Sequence, residues 1–414
     1  MRRHAQILAD RLRQLGAISD DAGRLTRTFL SPAMARANRQ VGRWMREAGL
    51  TVRVDAVGNL IGTTAQRGRA TPRRRTLLLG SHLDTVRDAG RFDGALGVLL
   101  PLTALEVLRE RGVSLPFDVE VVGFSEEEGV RFASAYLGSK GYIGRLEART
   151  LELQDARGIS VREALRRFNG GRFAAPRPAH RTSELLGYVE VHLEQGPVLE
   201  EQGLPVGVVS AIAGQSRFRV TWTGRAGHAG TTPMHLRRDA MAGAAEFIVA
   251  AEKLARATPG LVATVGTCAV PAGAGNVIPG RVEHTLDVRH ARDKVRHAAI
   301  RRLLAAAGSI ARKRGLRLAT QVTQDNAAVR CAPRLSAALT SSVREVQGRD
   351  LSVVSGAGHD AVVLAELTPV AMLFVRCRDG LSHHPREHVA TADLAVALRV
   401  LVDFLEHRVA QEAR

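Results

Sequence analysis

The stretch TLLLGSHLDTVRDAGRFDGALGVLLPLTALEVLRERGVSLPFDVEVVGFSEEEG, residues 76–129, decides the fold. Residues 76–81 are a short apolar run bounded by Gly and polar residues, which reads as a buried strand. Residues 95–112 carry a longer apolar pattern that stops at Gly112, the signature of a helix and its end. Residues 117–125 form a second apolar run of strand length. Strands that are apolar throughout, joined by a helix, predict parallel neighbours buried on both faces.

Working outward, GYVEVHLEQG (187–196) and residues 369–377 read as further strands. Residues 4–15, 32–47, 334–346 and 391–408 read as helices; in the second, Val41, Trp44 and Met45 recur at the helical spacing. Residues 151–184 have little strand signal and are expected as helix and loop. The class is α/β, with a mostly parallel sheet and helices on both faces. The texture changes near Ser210. SRFRVTWTG (216–224) alternates with period two, a helix follows at 238–257, then LVATVGTCAV, RVEHTLDVRH, a helix at 294–314 and LRLATQVTQD. The order β-α-β-β-α-β predicts a split βαβ sandwich, one antiparallel sheet with two helices on one face. We therefore expect an inserted α+β domain at 211–326, within a discontinuous domain formed by 1–210 and 327–414.

Composition excludes several classes. The chain has 414 residues, 45% apolar and 24% charged, an ordinary globular balance that rules out a wholly disordered chain. No apolar run reaches the roughly 18 residues that a membrane helix needs, and the basic N-terminus lacks the apolar core of a secretory signal. Cys268, Cys331 and Cys377 are odd in number and scattered, so reduced thiols and a cytoplasmic address are expected. The net charge of +18 raises nucleic-acid binding. Yet only four of the 59 basic residues are Lys (Lys140, Lys253, Lys294 and Lys313), a bias along the whole chain that looks like a GC-rich coding genome. At 4% aromatics no base-stacking platform can be built, and no nucleic-acid partner is expected. The run Arg73-Arg74-Arg75, just before a strand, is expected on a solvated loop.

Five segments carry the chemistry, each with acids or imidazoles at the end of an expected strand or in the turn after it. They are GSHLDTV with His82 and Asp84, GRFDGALGV with Asp93, SEEEGVRF with Glu126, Glu127 and Glu128, VEVHLEQGP with His192 and Glu194, and LSHHPREH with His383, His384 and His388. Taken singly, each has an ordinary reading as a capping Asp, a solvated acidic loop or a hydrogen-bonded His. Together they matter, because open α/β sheets bind ligands at the carboxyl ends of their strands. Two-residue spacing in an extended chain would place Asp84 beside His82, holding one imidazole nitrogen while the other binds a metal. A His and carboxylate set without thiolate suits a catalytic site for Zn, Mn, Ni or Co. The residues alone point to a di-metal hydrolase.

The set GSHLDTV, GRFDGALGV, SEEEGVRF, HLEQGP, GRAGHAGTTPM, GAGNVIPG, SGAGHDA and SHHP resembles the hydantoinase/carbamoylase branch of the M20 di-metal amidohydrolases over about residues 5–410. The branch includes N-carbamoyl-L-amino-acid hydrolases, allantoate amidohydrolases and β-ureidopropionases. The resemblance implies two divalent ions per subunit (Zn, Mn, Ni or Co) bridged by Asp93, with His82 and His192 completing one site and Glu128 and His383 the other. His384 stands where this branch usually has Asn, and the alignment of Ser382 and Pro385 favours His383 as the ligand. It further implies Glu127 as the general base, His228 as an oxyanion donor reaching the site of a homodimer partner, and Gln195, Asn276, Arg289 and His359 as substrate-binding residues. For Arg289, a surface ion pair with Asp287 is the ordinary alternative. The implied substrate is a small ureido compound bearing a carboxylate: an N-carbamoyl-L-amino acid, with allantoate or an N-carbamoyl-β-amino acid as alternatives. A metal-free binding protein of the same fold would show an eroded ligand set, whereas all five ligand positions and Glu127 are present.

Overall fold

The computed structural model describes residues 1–64 and 74–409. Arg73 of the arginine run lies outside them. The chain folds as two compact units, Met1–Ser210 with Cys331–Arg414, and Ala211–Arg330.

The first unit is built on β1 (Thr51–Val54), β2 (Leu60–Thr63), β3 (Thr76–His82), β4 (Asp118–Phe124), β5 (Leu185–Leu193), β6 (Val206–Ile212), β7 (Ser352–Ser355) and β8 (Val370–Val375). Their order is β1-β2-β4-β3-β5-β8-β6, with β7 also on β6. The central strands β4, β3, β5 and β8 run parallel, as the apolar runs predict, and all seven residues of β3 are buried. The flanks differ: β1, β2 and β6 pair antiparallel, so the sheet is parallel only at its centre. Helices Arg2–Gly16, Ala95–Glu110, Pro333–Gln347 and Thr391–Asp403 bury their apolar residues in one continuous core with the sheet. A smaller cluster (Phe29, Phe132, Leu137, Leu151, Val161, Leu165) supports the excursion between β4 and β5. Each fully buried Leu or Phe contributes about 1.5–3 kcal/mol. The last helix is shorter than expected, giving way to a π-helical turn at Phe404–Val409.

Two close approaches in this unit require glycine. Gly94 has φ 65°, and a Cβ there would lie 2.5 Å from the His82 ring. A Cβ on Gly97 would lie 2.2 Å from the Val191 carbonyl, so Gly97 lets the helix sit directly on β5.

The second unit is a five-stranded antiparallel sheet in the order Cys268–Ala269, Arg281–His290, Gly214–Thr223, Arg317–Asn326, with Val262–Thr264 also on Arg281–His290. Helices Ala240–Arg256 and Asp293–Lys313 pack on it. Alternate residues point into the core they share: Phe218, Val220 and Trp222 from one strand, Val282, Leu286 and Val288 from its neighbour.

Candidate metal centre

His82 and His192 sit at the carboxyl ends of the parallel strands β3 and β5, paired with Phe124 and Phe374. Asp93 ends the loop after β3, with Gly94 turning the chain into the helix Ala95–Glu110. Local folding thus brings these three together. His192 Nε2 lies 3.1 Å and His82 Nε2 3.5 Å from Asp93 Oδ1.

The opposite ring nitrogens fix the tautomers. His82 Nδ1 lies 3.0 Å from the Asp84 main-chain O, and His192 Nδ1 3.1 Å from the Leu193 O, so each Nδ1 carries the hydrogen. Two imidazole lone pairs then face a carboxylate oxygen that is buried and has no hydrogen-bond partner. Such a nest needs a cation, and its donor types fit a borderline divalent metal. A second group shares Asp93: His383 Nε2 lies 3.1 Å from Asp93 Oδ2 and 3.5 Å from Glu128 Oε1. His82, Glu127 and Glu128 also converge, with donor atoms within 4.8 Å of one another. His384 is elsewhere engaged, its Nδ1 accepting the Arg386 N–H at 3.1 Å.

Electrostatics reflects this crowding. Burial favours a neutral Asp93, but His192, His383 and His82 in their protonated forms overcome it and hold the carboxyl well below the usual range. The bond to Asp93 pushes His383 up to about 9. Burial pushes Glu128 to about 7, His82 opposing and Asp93 adding. Burial likewise raises Glu127 well above the usual range, opposed by the charge of His82 and reinforced by Glu128 and Asp360.

Several residues have different neighbours from those expected. β3 ends at His82, so Asp84 lies beyond the extended segment, and its main-chain O makes the close contact to His82 Nδ1 while its carboxylate stands at 3.4 Å. That carboxylate instead accepts the Glu127 and Glu128 main-chain N–H groups at 3.0 and 3.2 Å and so holds the glutamate loop. Glu126 accepts the Gly129 N–H, and Glu194 the Val198 and Leu199 N–H groups at the start of a short helix. His359 is buried, its Nε2 2.8 Å from Ser355 Oγ and its ring edge-on to His192 at 4.4 Å, so it backs His192 rather than facing solvent. Gln195, at φ 56°, donates to Asp93 Oδ2 at 3.0 Å.

The second unit carries the remaining candidates. His228 and Val277 pair in a two-stranded ribbon, and the Ala229 N–H donates to the Asn276 O. His228 Nδ1 accepts from the Gly230 and Thr231 N–H groups at 3.1 and 3.2 Å, which leaves Nε2–H as the donor of the neutral ring. Arg289 grips Asp287 with two nitrogens at 2.8 and 2.9 Å, so its fork is closed on the ion pair that the sequence left as the alternative. Asp287 also accepts from Gln215 and Arg217 and stays partnered if Arg289 turns away.

Two supporting residues escaped the sequence reading. Glu387 Oε1 accepts the Phe92 and Asp93 N–H groups at 2.8 and 3.1 Å, and Ser382 Oγ lies within hydrogen-bond distance of both Glu387 Oε2 (3.0 Å) and Asp93 Oδ2 (2.8 Å). Arg27 is buried and donates Nε to the Leu83 O at 2.6 Å, fixing the peptide between His82 and Asp84. Flanked by Thr26 and Thr28, with Arg24 three residues before it, Arg27 carried no signal in the sequence.

Residues 78–407 match the family model for peptidase family M20/M25/M40. An allantoate deiminase from Arabidopsis thaliana is 42% identical over 438 residues, covering 97% of this chain and 83% of that one. An N-carbamoyl-L-amino acid amidohydrolase from Geobacillus stearothermophilus is 42% identical over 395 residues, covering 95% and 96%. Among solved structures, an amidase of the hydantoinase/carbamoylase family from Burkholderia multivorans superposes with a TM-score of 0.91 at 32% identity, covering 98% of each chain.

Proposed function

The chain belongs to peptidase family M20/M25/M40, in its hydantoinase/carbamoylase group, and from that premise we propose that it hydrolyses the ureido C–N bond of N-carbamoyl-L-amino acids to the amino acid, CO2 and ammonia. The observation that carries this is the convergence of three imidazole Nε2 atoms on one carboxylate, Asp93, within 3.1–3.5 Å. His82, Asp93 and His192 would hold one divalent ion, and Asp93, Glu128 and His383 a second. Bound there, such ions polarise a carbonyl and lower the pKa of water.

Glu127 takes the proton of the attacking water and returns it to the leaving nitrogen, its carboxylate made more basic by burial. His228 donates Nε2–H to the developing oxyanion, with Nδ1 already committed to main-chain donors. Gln195 lines the pocket from beside Asp93, and His359 supports it from behind His192. Arg289 recognises the substrate carboxylate by exchanging it for Asp287, and Asn276, whose main-chain O accepts the Ala229 N–H beside His228, contributes its side-chain amide from the ribbon. A homodimer is favoured by the strand Arg317–Asn326, which lies at the edge of its sheet with most residues exposed, where a second copy could add a strand.

The second reading is allantoate hydrolysis with a ureidoglycine product, favoured by the 42% identity to the Arabidopsis protein. Steady-state assays of the Mn-loaded protein with N-carbamoyl-methionine, N-carbamoyl-β-alanine and allantoate separate the readings. Turnover of the first supports the proposal, and no hydrolysis of any of the three removes it.

A further inference from the structure

Behind the metal centre, on the side of Asp93 covered by Glu387, the first unit contains a cavity of about 500 Å³. Four of its eleven lining residues are arginine (Arg13, Arg91, Arg378 and Arg386), against 55 of 414 in the chain, so even in this arginine-rich sequence the wall is enriched. His388 lies among them. The one acid of the lining, Glu387, commits its oxygens to the Phe92 and Asp93 N–H groups and to Ser382 Oγ, facing the metal centre. Arg13 pairs with Asp10 at 2.6 Å. Among the described residues Arg91, Arg378 and Arg386 have no carboxylate within ion-pair distance.

The wall is also positioned. The Arg91 guanidinium lies 5.2 Å from the Phe92 ring centroid, and that ring meets His388 edge-on at 6.1 Å. The Arg378 N–H donates to the His388 O at 2.9 Å, which ties the 378 turn to the 386–388 segment. Guanidinium groups gathered in a concavity whose one acid is committed to the metal-centre loops create a field that selects oxyanions, which they bind through paired N–H donors. The volume exceeds that of an inorganic ion and falls in the range of small-molecule sites. Leu25, Ala89 and Pro385 add apolar wall for a carbon skeleton.

We propose that this cavity is a second ligand site, separate from the metal centre, for a small organic molecule carrying several oxyanion charges. Phosphate esters and polycarboxylates share that chemistry, and the experiment tells them apart. Titration calorimetry of the metal-loaded protein with glycerol 3-phosphate in one arm and tricarballylate in the other is expected to give one site per chain, with a Kd of about 1 mM or below for at least one probe. In the double variant Arg378→Gln/Arg386→Gln, and in Arg13→Gln/Arg378→Gln, the affinity should drop by about tenfold or more, with melting temperature and kcat unchanged. Affinity retained in both variants would place the anion on the metal centre instead and overturn the proposal, as would no binding of either probe below about 10 mM.

Discussion

Glu387 accepts the main-chain N–H of Asp93 across 3.1 Å, joining residues 294 apart in sequence. The same carboxylate takes the Phe92 N–H and Ser382 Oγ, and so fixes both the loop that presents Asp93 and the turn that presents His383. Groups that orient ligands in this way typically change metal affinity about 10–100-fold when removed. Glu387→Ala should lose metal by that factor during dialysis against a graded chelator. Glu387→Gln, which keeps one carbonyl oxygen, should fall between it and the wild type. Metal content by atomic emission checks this, and equal retention in all three would refute the role.

Glu127→Gln should lower kcat about 10²–10⁴-fold, because an amide cannot carry the proton between water and leaving group. Metal content should stay at the wild-type level, since Asp84 holds that loop through main-chain N–H groups that the substitution leaves in place. Loss of metal together with activity would reassign Glu127 as a ligand.

Much of this was legible in the sequence, for physical reasons. Buried parallel strands must be apolar throughout, so residues 76–81, 117–125 and 369–377 announced the centre of the sheet. Strands β1, β2, β6 and β7 went unread. β1, β2 and β7 are only four residues long, and β2 and β6 pair antiparallel with distant partners, β4 and β8, which no local periodicity records. At the centre, the motifs named the groups that converge on Asp93. They missed Glu387, because it acts through partners far away along the chain. They set Asp84 beside His82, where its carboxylate stands at 3.4 Å from Nδ1, but gave no hint that it also holds the glutamate loop through the Glu127 and Glu128 N–H groups. For Arg289 the sequence offered both partners, and the fork rests on the nearer one, Asp287, two residues away on the same face of its strand.

Arg296 in the second unit is 1% exposed, and it bonds Asp293 at 2.8 Å, Asp325 at 2.6 Å and the Ser216 hydroxyl. It ties the helix Asp293–Lys313 to the paired strands Gly214–Thr223 and Arg317–Asn326, where Ser216 and Asp325 stand opposite each other. Asp293 and Asp325 are partly exposed and regain water once the arginine is gone, so Arg296→Met should cost about 2 kcal/mol, nearer the penalty of unmade hydrogen bonds than of a stranded buried charge. Trp44 and Trp222 lie in different units. In a Trp44→Phe background, urea unfolding followed by fluorescence therefore reports the second unit alone. An unchanged midpoint would contradict the assignment.

Metal removal should change how stability depends on pH. In the chelated protein His383, raised to about 9 by its bond to Asp93, contributes stability that is complete below its unfolded pKa and is lost as pH climbs through 9. Glu128 and Glu387 are raised to about 7, both chiefly by burial, so they favour the folded state only while protonated and that advantage fades as pH rises through 7. The groups act in the same direction, and the chelated protein should lose stability steadily between about pH 5 and 9. Bound cations replace those protons and bind more tightly as the ligands deprotonate. The difference in melting temperature between Mn-loaded and EDTA-treated protein should therefore widen from pH 6 to pH 9. Scanning fluorimetry at four pH values tests this: parallel curves would mean that the Asp93 cluster does not exchange protons for metal.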